Sequence, residues 1–352
     1  NLGVRSLMLH LMLVVRHVET LRSARPGQSR SIRMSTQNNF VENSTSSLIN
    51  KSDELVINWH ITEACNYSCT YCFAKWGKPN ELHRSLEAIE KLLDNLADYF
   101  ITGSSSLKQK LGYENVRLNI AGGEPMMLGS TFSIVLILAK QKGFNTSIIT
   151  NGHYLLNSKF DIPNNVLDMV GISFDSQSYD VRCQIGRVDR KGNSLSSDDL
   201  KLVLKKLSST QQGLKTKINT VVNKFNWQED FTSLLSEINP YKWKALQVMP
   251  YGEDSLLISN KQFNHFVEKH SNAGLPIFAE SNFAMTESYL MIDPKGCFYQ
   301  NSTGGFGYKY SESINKVGAA KALKQISFNE AVFIARYLPI EPVVFINERE
   351  VL

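Results

Sequence analysis

The sequence predicts an α/β fold, a partial (βα)6 TIM-type barrel followed by a C-terminal extension, and three observations lead there. Six short runs have the apolar, β-branched character of strands, at 55–62, 116–121, 146–150, 169–175, 215–222 and 242–250. Amphipathic stretches long enough to cross back over a parallel sheet lie near 85–101, 131–143, 196–208, 228–238 and 260–269. The residues capable of chemistry follow the strands, as they do in barrels whose active sites sit at the carboxyl ends.

In chain order, residues 1–50 come first as an N-terminal extension. Leu7 to Val15 is apolar but too short to span a bilayer, and Glu19 is the only acid before Met34 among several arginines. This part reads as an organellar or membrane-associating leader, or as a segment outside the fold, and 35–50 is Ser-, Thr- and Asn-rich like a disordered leader. The barrel then occupies 51–275. Residues 276–352 form the C-terminal extension, with a hairpin of 287–292 and 297–301 turned at Asp293-Pro294-Lys295-Gly296. The glycine-rich run Gly304-Gly305-Phe306-Gly307 reads as a lid over the nucleotide site.

Composition narrows the class. With 42% hydrophobic and 20% charged residues the chain is an ordinary globular one, and a net charge of +5 over 352 residues is too mild to indicate nucleic-acid binding. The sequence is expected to be cytoplasmic and monomeric, without a membrane span. Three of the five cysteines fall within eight residues, which argues against a disulfide framework and for a metal site. The other two, Cys183 and Cys297, read as packed thiols.

Cys65-Asn66-Tyr67-Ser68-Cys69-Thr70-Tyr71-Cys72 follows the first strand with C-x3-C-x2-C spacing. Three thiolates hold three irons of a cubane [4Fe–4S] cluster and leave the fourth open to another ligand. A structural zinc site wants a fourth protein ligand, and only His60 or His83 is near in sequence.

That spacing, with an aromatic before the last cysteine, resembles the radical S-adenosylmethionine (SAM) superfamily. Asn119-Ile120-Ala121-Gly122-Gly123-Glu124-Pro125 resembles its GGEP segment, which implies that Gly122, Gly123 and Glu124 bind SAM. Further ordered matches resemble the viperin-like nucleotide dehydratases over roughly 54–330, among them Thr150-Asn151-Gly152, Ile172-Ser173-Phe174-Asp175-Ser176, Ile185-Gly186-Arg187, Lys217-Ile218-Asn219, Asn239-Pro240-Tyr241-Lys242-Trp243-Lys244 and Glu280-Ser281-Asn282.

The resemblance implies Asn151, Ser173 and Arg187 as SAM contacts, and arginine suits a carboxylate because its planar fork pairs with two oxygens. Arg117 and Lys217 interrupt apolar strands, where an unpaired charge is expensive to bury. Lys242 and Lys244 have the i, i+2 spacing of one strand face. By resemblance these four bind the triphosphate of a nucleotide, Asn219 its sugar, and Tyr289 lies near the reacting carbon. The implied reaction removes the C4′ hydrogen by a 5′-deoxyadenosyl radical, expels the 3′-hydroxyl as water and gives a 3′-deoxy-3′,4′-didehydro nucleotide, an antiviral chain terminator. A low-potential electron donor of flavodoxin or ferredoxin type is implied as partner.

Two departures stand out. The chain ends Arg349-Glu350-Val351-Leu352 where animal members end in tryptophan, and Asn301-Ser302-Thr303-Gly304 replaces their Cys-Arg-Lys run. A microbial type accepting CTP, UTP or GTP is the expectation. The competing readings are a peptide-modifying radical SAM oxidoreductase, which usually adds cysteines for auxiliary clusters, and a scaffold with a structural cluster.

Overall fold

The computed structural model describes residues 53–74, 80–156, 162–249, 254–301 and 307–335. The expected extension at 1–50 and the expected lid at 304–306 lie outside the described residues. All described residues belong to one compact unit.

Ten strands form one sheet in the order β10-β9-β8-β1-β2-β3-β4-β5-β6-β7. The six expected strands are β1 (Glu54–Thr62), β2 (Asn115–Gly122), β3 (Asn145–Thr150), β4 (Met169–Ser173), β5 (Lys215–Val222) and β6 (Lys242–Gln247), in sequence order and parallel throughout. A seventh parallel strand, β7 (Ile277–Glu280), pairs with β6. Its four residues are too few to show a period, so the sequence gives no sign of it.

The predicted hairpin forms as β8 (Leu290–Ile292) and β9 (Cys297–Asn301), with the Asp293 carboxylate accepting from the backbone N–H of Lys295 and Cys297 at 2.9 Å each. β8 is shorter than expected and lies parallel beside β1, so the C-terminal extension widens the barrel sheet; β10 (Tyr308–Ser313) completes that edge.

Alternation along the strands gives the barrel two faces. Leu55, Ile57, Trp59 and Ile61 of β1 are fully buried against the helical layer, while Val56, Asn58 and His60 face the interior. In β6, Trp243 and Ala245 pack outward and Lys242 and Lys244 inward. The period of two thus separates a dry outer core from a polar interior.

The helices answer to that outer face. Helix α1 (Leu86–Ala97) buries Ile89, Leu92, Leu93 and Leu96, three and four residues apart, and starts at Ser85, whose hydroxyl accepts from Ala88 N. It continues as a π-helical turn, Asp98–Thr102. Helix α2 (Ser130–Gln141) follows β2. Helices α3 (Ser197–Thr210) and α5 (Asn260–Ser271) both begin with capping boxes, Ser196 with Asp199 and Ser259 with Gln262.

Helix α4 (Thr232–Ile238) starts later than the expected 228, because the preceding residues form a turn in which Asn226 Nδ2 donates to the carbonyls of Asp175 and Val221. His270 of α5 is fully buried: its Nε2 accepts from Phe231 N at 3.0 Å and its Nδ1 faces Phe266 O at 2.7 Å. No helix of the described residues is long and apolar enough to cross a membrane.

Candidate active site

Past the carboxyl end of β1 the chain turns into the cysteine loop, and backbone pairing straps that loop to the far side of the barrel. Ser68 N donates to Gly186 O and Thr70 N to Ile185 O. Gly186 has φ of +72°, and a Cβ there would stand 2.3 Å from Ser68 O, so only glycine permits this approach. The second glycine of the pair after β2 is constrained in the same way, since a Cβ on Gly123 would meet Ala64 O at 2.2 Å.

Cys65, Cys69 and Cys72 border one cavity of about 360 Å³ inside the barrel. Among the described residues, no three His, Cys, Asp or Glu side chains converge as a single metal ion requires. Three thiols from one loop at the mouth of a barrel fit instead a cluster that takes one cysteine per iron. The loop also holds a buried donor, Asn66 Nδ2, with no partner among the described residues. Burial pushes the Cys65 thiol up to about 11 and moves Cys69 the same way, which opposes the thiolate form that a metal ligand requires. The remaining cysteines stand apart. Cys183, on the outer face of a short helix, is exposed where a packed thiol was expected, and Cys297 is half-buried.

The expected SAM residues divide. Gly122, Gly123, Asn151, Ser173 and Arg187 line the cavity, but Glu124 does not. Its fully buried carboxylate accepts from Thr150 Oγ1 at 2.8 Å, Asn151 N at 2.8 Å and Met126 N at 3.1 Å, bracing the turn after β2 against the end of β3. Burial raises its pKa, and these three donors work against the rise. Asn151 spends its side chain on the loop, with Nδ2 donating to Asn66 Oδ1 at 2.8 Å and Oδ1 accepting from His153 N at 3.0 Å.

Arg187 is buried and largely engaged. Its Nε pairs with Asp175 at 3.0 Å, one terminal nitrogen donates to Ser173 O at 2.6 Å, and the other lies 3.8 Å from Cys69 Sγ. Burial disfavours its charge, but Asp175, Tyr71 and Cys69 outweigh that and hold it well above the usual arginine range.

The four expected phosphate cations, Arg117, Lys217, Lys242 and Lys244, all line the same cavity, as do Asn219 and Tyr289. Their electrostatic states differ. Arg117 is paired with Glu54 at 2.7 Å, and Lys244 with Glu280 at 2.5 Å. Lys242 Nζ sits 4.0 Å from the centre of the Phe278 ring, a cation–π contact.

Lys217 has no hydrogen bond or ion pair among the described residues, and its pKa is driven well below the lysine range by burial, then by Lys244 and Arg117. Gly171 of β4 makes room for it: a Cβ there would come within 2.9 Å of Lys217 Cε. Tyr289 donates its hydroxyl to Glu280 and accepts from Lys244 Nζ at 2.8 Å.

Glu54, Asp175 and Glu280 were not evident in the sequence as site residues. Glu280 stands in a segment that carries the family resemblance, but its β7 strand is too short to point it inward by pattern alone. Asp175 ends a strand-like run in which nothing marks a counter-ion for a residue 12 positions on.

Residues 59–235 match the Radical SAM superfamily model. An S-adenosylmethionine-dependent nucleotide dehydratase of Pseudoalteromonas ulvae is 46% identical over 287 residues, covering 81% of this chain and 93% of that protein. One from Psychrobacter lutiphocae is 38% identical, covering 81% and 95%, and the dehydratase RSAD2 of Danio rerio is 30% identical, covering 80% and 76%.

Among solved structures, native anSMEcpe with bound AdoMet superposes with a TM-score of 0.52 at 12% identity, over 78% of this chain and 81% of that one. SuiB of Streptococcus suis bound to S-adenosylmethionine gives 0.51 at 13%, over 81% and 68%. Those two likenesses concern the fold alone. A chain with three cysteines at the mouth of a cationic barrel, and 46% identity over 287 residues with a relative aligned over most of both lengths, belongs to the S-adenosylmethionine-dependent nucleotide dehydratases of the radical SAM superfamily.

Proposed function

We propose that this protein dehydrates a nucleoside triphosphate, CTP, UTP or GTP, to its 3′-deoxy-3′,4′-didehydro analogue, a chain terminator that serves antiviral defence. The observation that carries the reading is Lys217, an amine in the barrel interior beside Arg117, Lys242 and Lys244, with no hydrogen bond or ion pair among the described residues. Burial and its basic neighbours disfavour the protonated amine, and an anionic ligand reverses that preference.

Cys65, Cys69 and Cys72 hold the cluster, and with SAM it supplies a 5′-deoxyadenosyl radical, the reagent for removing a hydrogen from unactivated carbon. The chain's own residues do the rest. Lys217 and Lys242 neutralise the triphosphate, with Arg117 and Lys244 adding to the field from within their ion pairs. Asn219, in register between Ser173 and Lys244, hydrogen-bonds the sugar. Tyr289, its hydroxyl fixed by Glu280 and Lys244, supplies the proton with which the 3′-hydroxyl leaves as water, and one electron from the donor closes the C3′=C4′ double bond. Ser173, Asn151 and the outer edge of Arg187 hold SAM, with Gly122 and Gly123 giving it backbone access. The electron comes from a low-potential flavodoxin- or ferredoxin-type donor.

The test is anaerobic reconstitution with iron and sulfide, followed by SAM, a reductant and each triphosphate in turn. The reading expects one triphosphate to stimulate 5′-deoxyadenosine release and to give a product lighter by one water. No stimulation by any triphosphate contradicts it.

A further inference from the structure

The contacts that hold the cysteine loop also set two opposite charges beside it. Asp175, 1% exposed, follows β4; its Oδ1 accepts from Val221 N at 2.7 Å, and its Oδ2 takes both the Tyr71 hydroxyl and Arg187 Nε, the latter at 3.0 Å. Tyr71 belongs to the cysteine loop itself, between Cys69 and Cys72. Arg187 then reaches back, with one terminal nitrogen 3.8 Å from Cys69 Sγ and 3.5 Å from the Tyr71 hydroxyl. The guanidinium is thus held against one particular cysteine by a carboxylate, a carbonyl and a phenol.

We infer that Asp175 is a positioning residue which, with Arg187, sets the reduction potential of the cluster through Cys69. Reduction adds one electron from a low-potential donor, with no bond made or broken, so it places one more negative charge beside the pair. A guanidinium at hydrogen-bonding distance from the cysteine sulfur favours that charge, and a carboxylate one ion pair behind opposes it. Both side chains are nine-tenths or more buried, where neither effect is screened by water. Asp175 therefore has two consequences: it fixes where the guanidinium sits and cancels part of its field. The inference rests on the cluster assignment and not on the nucleotide.

The experiment is EPR-monitored redox titration of the anaerobically reconstituted protein, without SAM or nucleotide, using low-potential mediators. Iron and sulfide are assayed in each variant. Asp175→Asn, which removes the carboxylate charge at constant shape, is expected to shift the midpoint potential upward. Arg187→Gln is expected to shift it downward, and the double variant to return toward the parent value. Opposite signs are the signature, because a merely loosened loop moves both variants the same way. Shifts of one sign, or no shift in either with cluster content retained, overturn the inference.

If Asp175→Asn does not hold a cluster, Arg187→Lys is compared with Arg187→Gln. Lysine is expected to keep the higher potential, and equal potentials overturn the inference. With substrate absent, failure here leaves the dehydratase reading intact, and failure there leaves this one.

Discussion

The Tyr289 hydroxyl donates to one oxygen of Glu280 while the other oxygen holds Lys244 Nζ at 2.5 Å, so the tyrosine is oriented by a buried ion pair contributed by β6 and β7. Both charged side chains are largely out of water, and such a pair fixes geometry better than an exposed one. Tyr289→Phe removes the hydroxyl and keeps the ring. Steady-state kinetics are expected to show kcat reduced by at least ~10²-fold with triphosphate affinity little changed. Glu280→Gln is expected to give a smaller loss in kcat. A purely packing role for Tyr289 predicts normal kcat in the phenylalanine variant.

Lys217 tests the proposed phosphate wall, because its charge is disfavoured in the empty interior and is proposed to be favoured beside a triphosphate. Lys217→Met is expected to raise the melting temperature of the metal-free protein, because it deletes an amine whose charged form is disfavoured in the interior beside Lys244 and Arg117. The same variant is expected to bind triphosphate about 10- to 100-fold more weakly, the value of one lost charge-assisted bond. Calorimetry and equilibrium binding read the two effects separately. A destabilised Lys217→Met protein with unchanged affinity contradicts the assignment.

Gly186 tests the strap on the cysteine loop. Alanine there meets both a left-handed backbone, φ +72°, and Ser68 O at 2.3 Å. The substitution is expected to cost about 1–3 kcal/mol in stability and to lower iron content after reconstitution. Gly213, also at positive φ but with nothing within 4 Å of its Cβ position, is the control and is expected to keep full iron.

Two buried histidines set the acid limit of the metal-free fold. Burial lowers His60 to about 3 and moves His270 in the same direction. Their folded pKa values lie below the unfolded value near 6.5, so the unfolded chain binds more protons in between. The contribution of these two histidines to stability is expected to be level above pH ~6.5 and to fall as the pH drops below it, for His60 down to about 3. His270→Gln is expected to flatten the upper part of that fall in thermal melts. An unchanged pH profile in that variant removes His270 from the account.

What the sequence made legible, and what it did not, follows from range. Strand period put Lys242 and Lys244 on one strand face, Lys217 stood out as a charge in an apolar run, and C-x3-C-x2-C spacing marked the cysteine loop, because these signals are local. Counter-ions are not local: Glu54 lies 63 positions from Arg117, and Tyr71 lies 104 from Asp175. Hence Arg117 and Lys244 read as bare cations in the sequence and prove to be paired in the fold. The direction of the Glu124 side chain was illegible for a related reason. The GGEP segment resembles the SAM-binding segment of the superfamily, but its carboxylate turns to Thr150 and the Asn151 amide, and the pattern carries no sign of that direction.

The central claim, that the cluster loop and the cation wall act on one substrate in one cavity, is tested most directly by a nucleoside triphosphate deuterated at C4′. In a single anaerobic turnover the account predicts deuterium in the 5′-deoxyadenosine, in amount matching the dehydrated nucleotide formed. Unlabelled 5′-deoxyadenosine alongside a dehydrated product, or labelled 5′-deoxyadenosine from the Cys69→Ala protein, contradicts it.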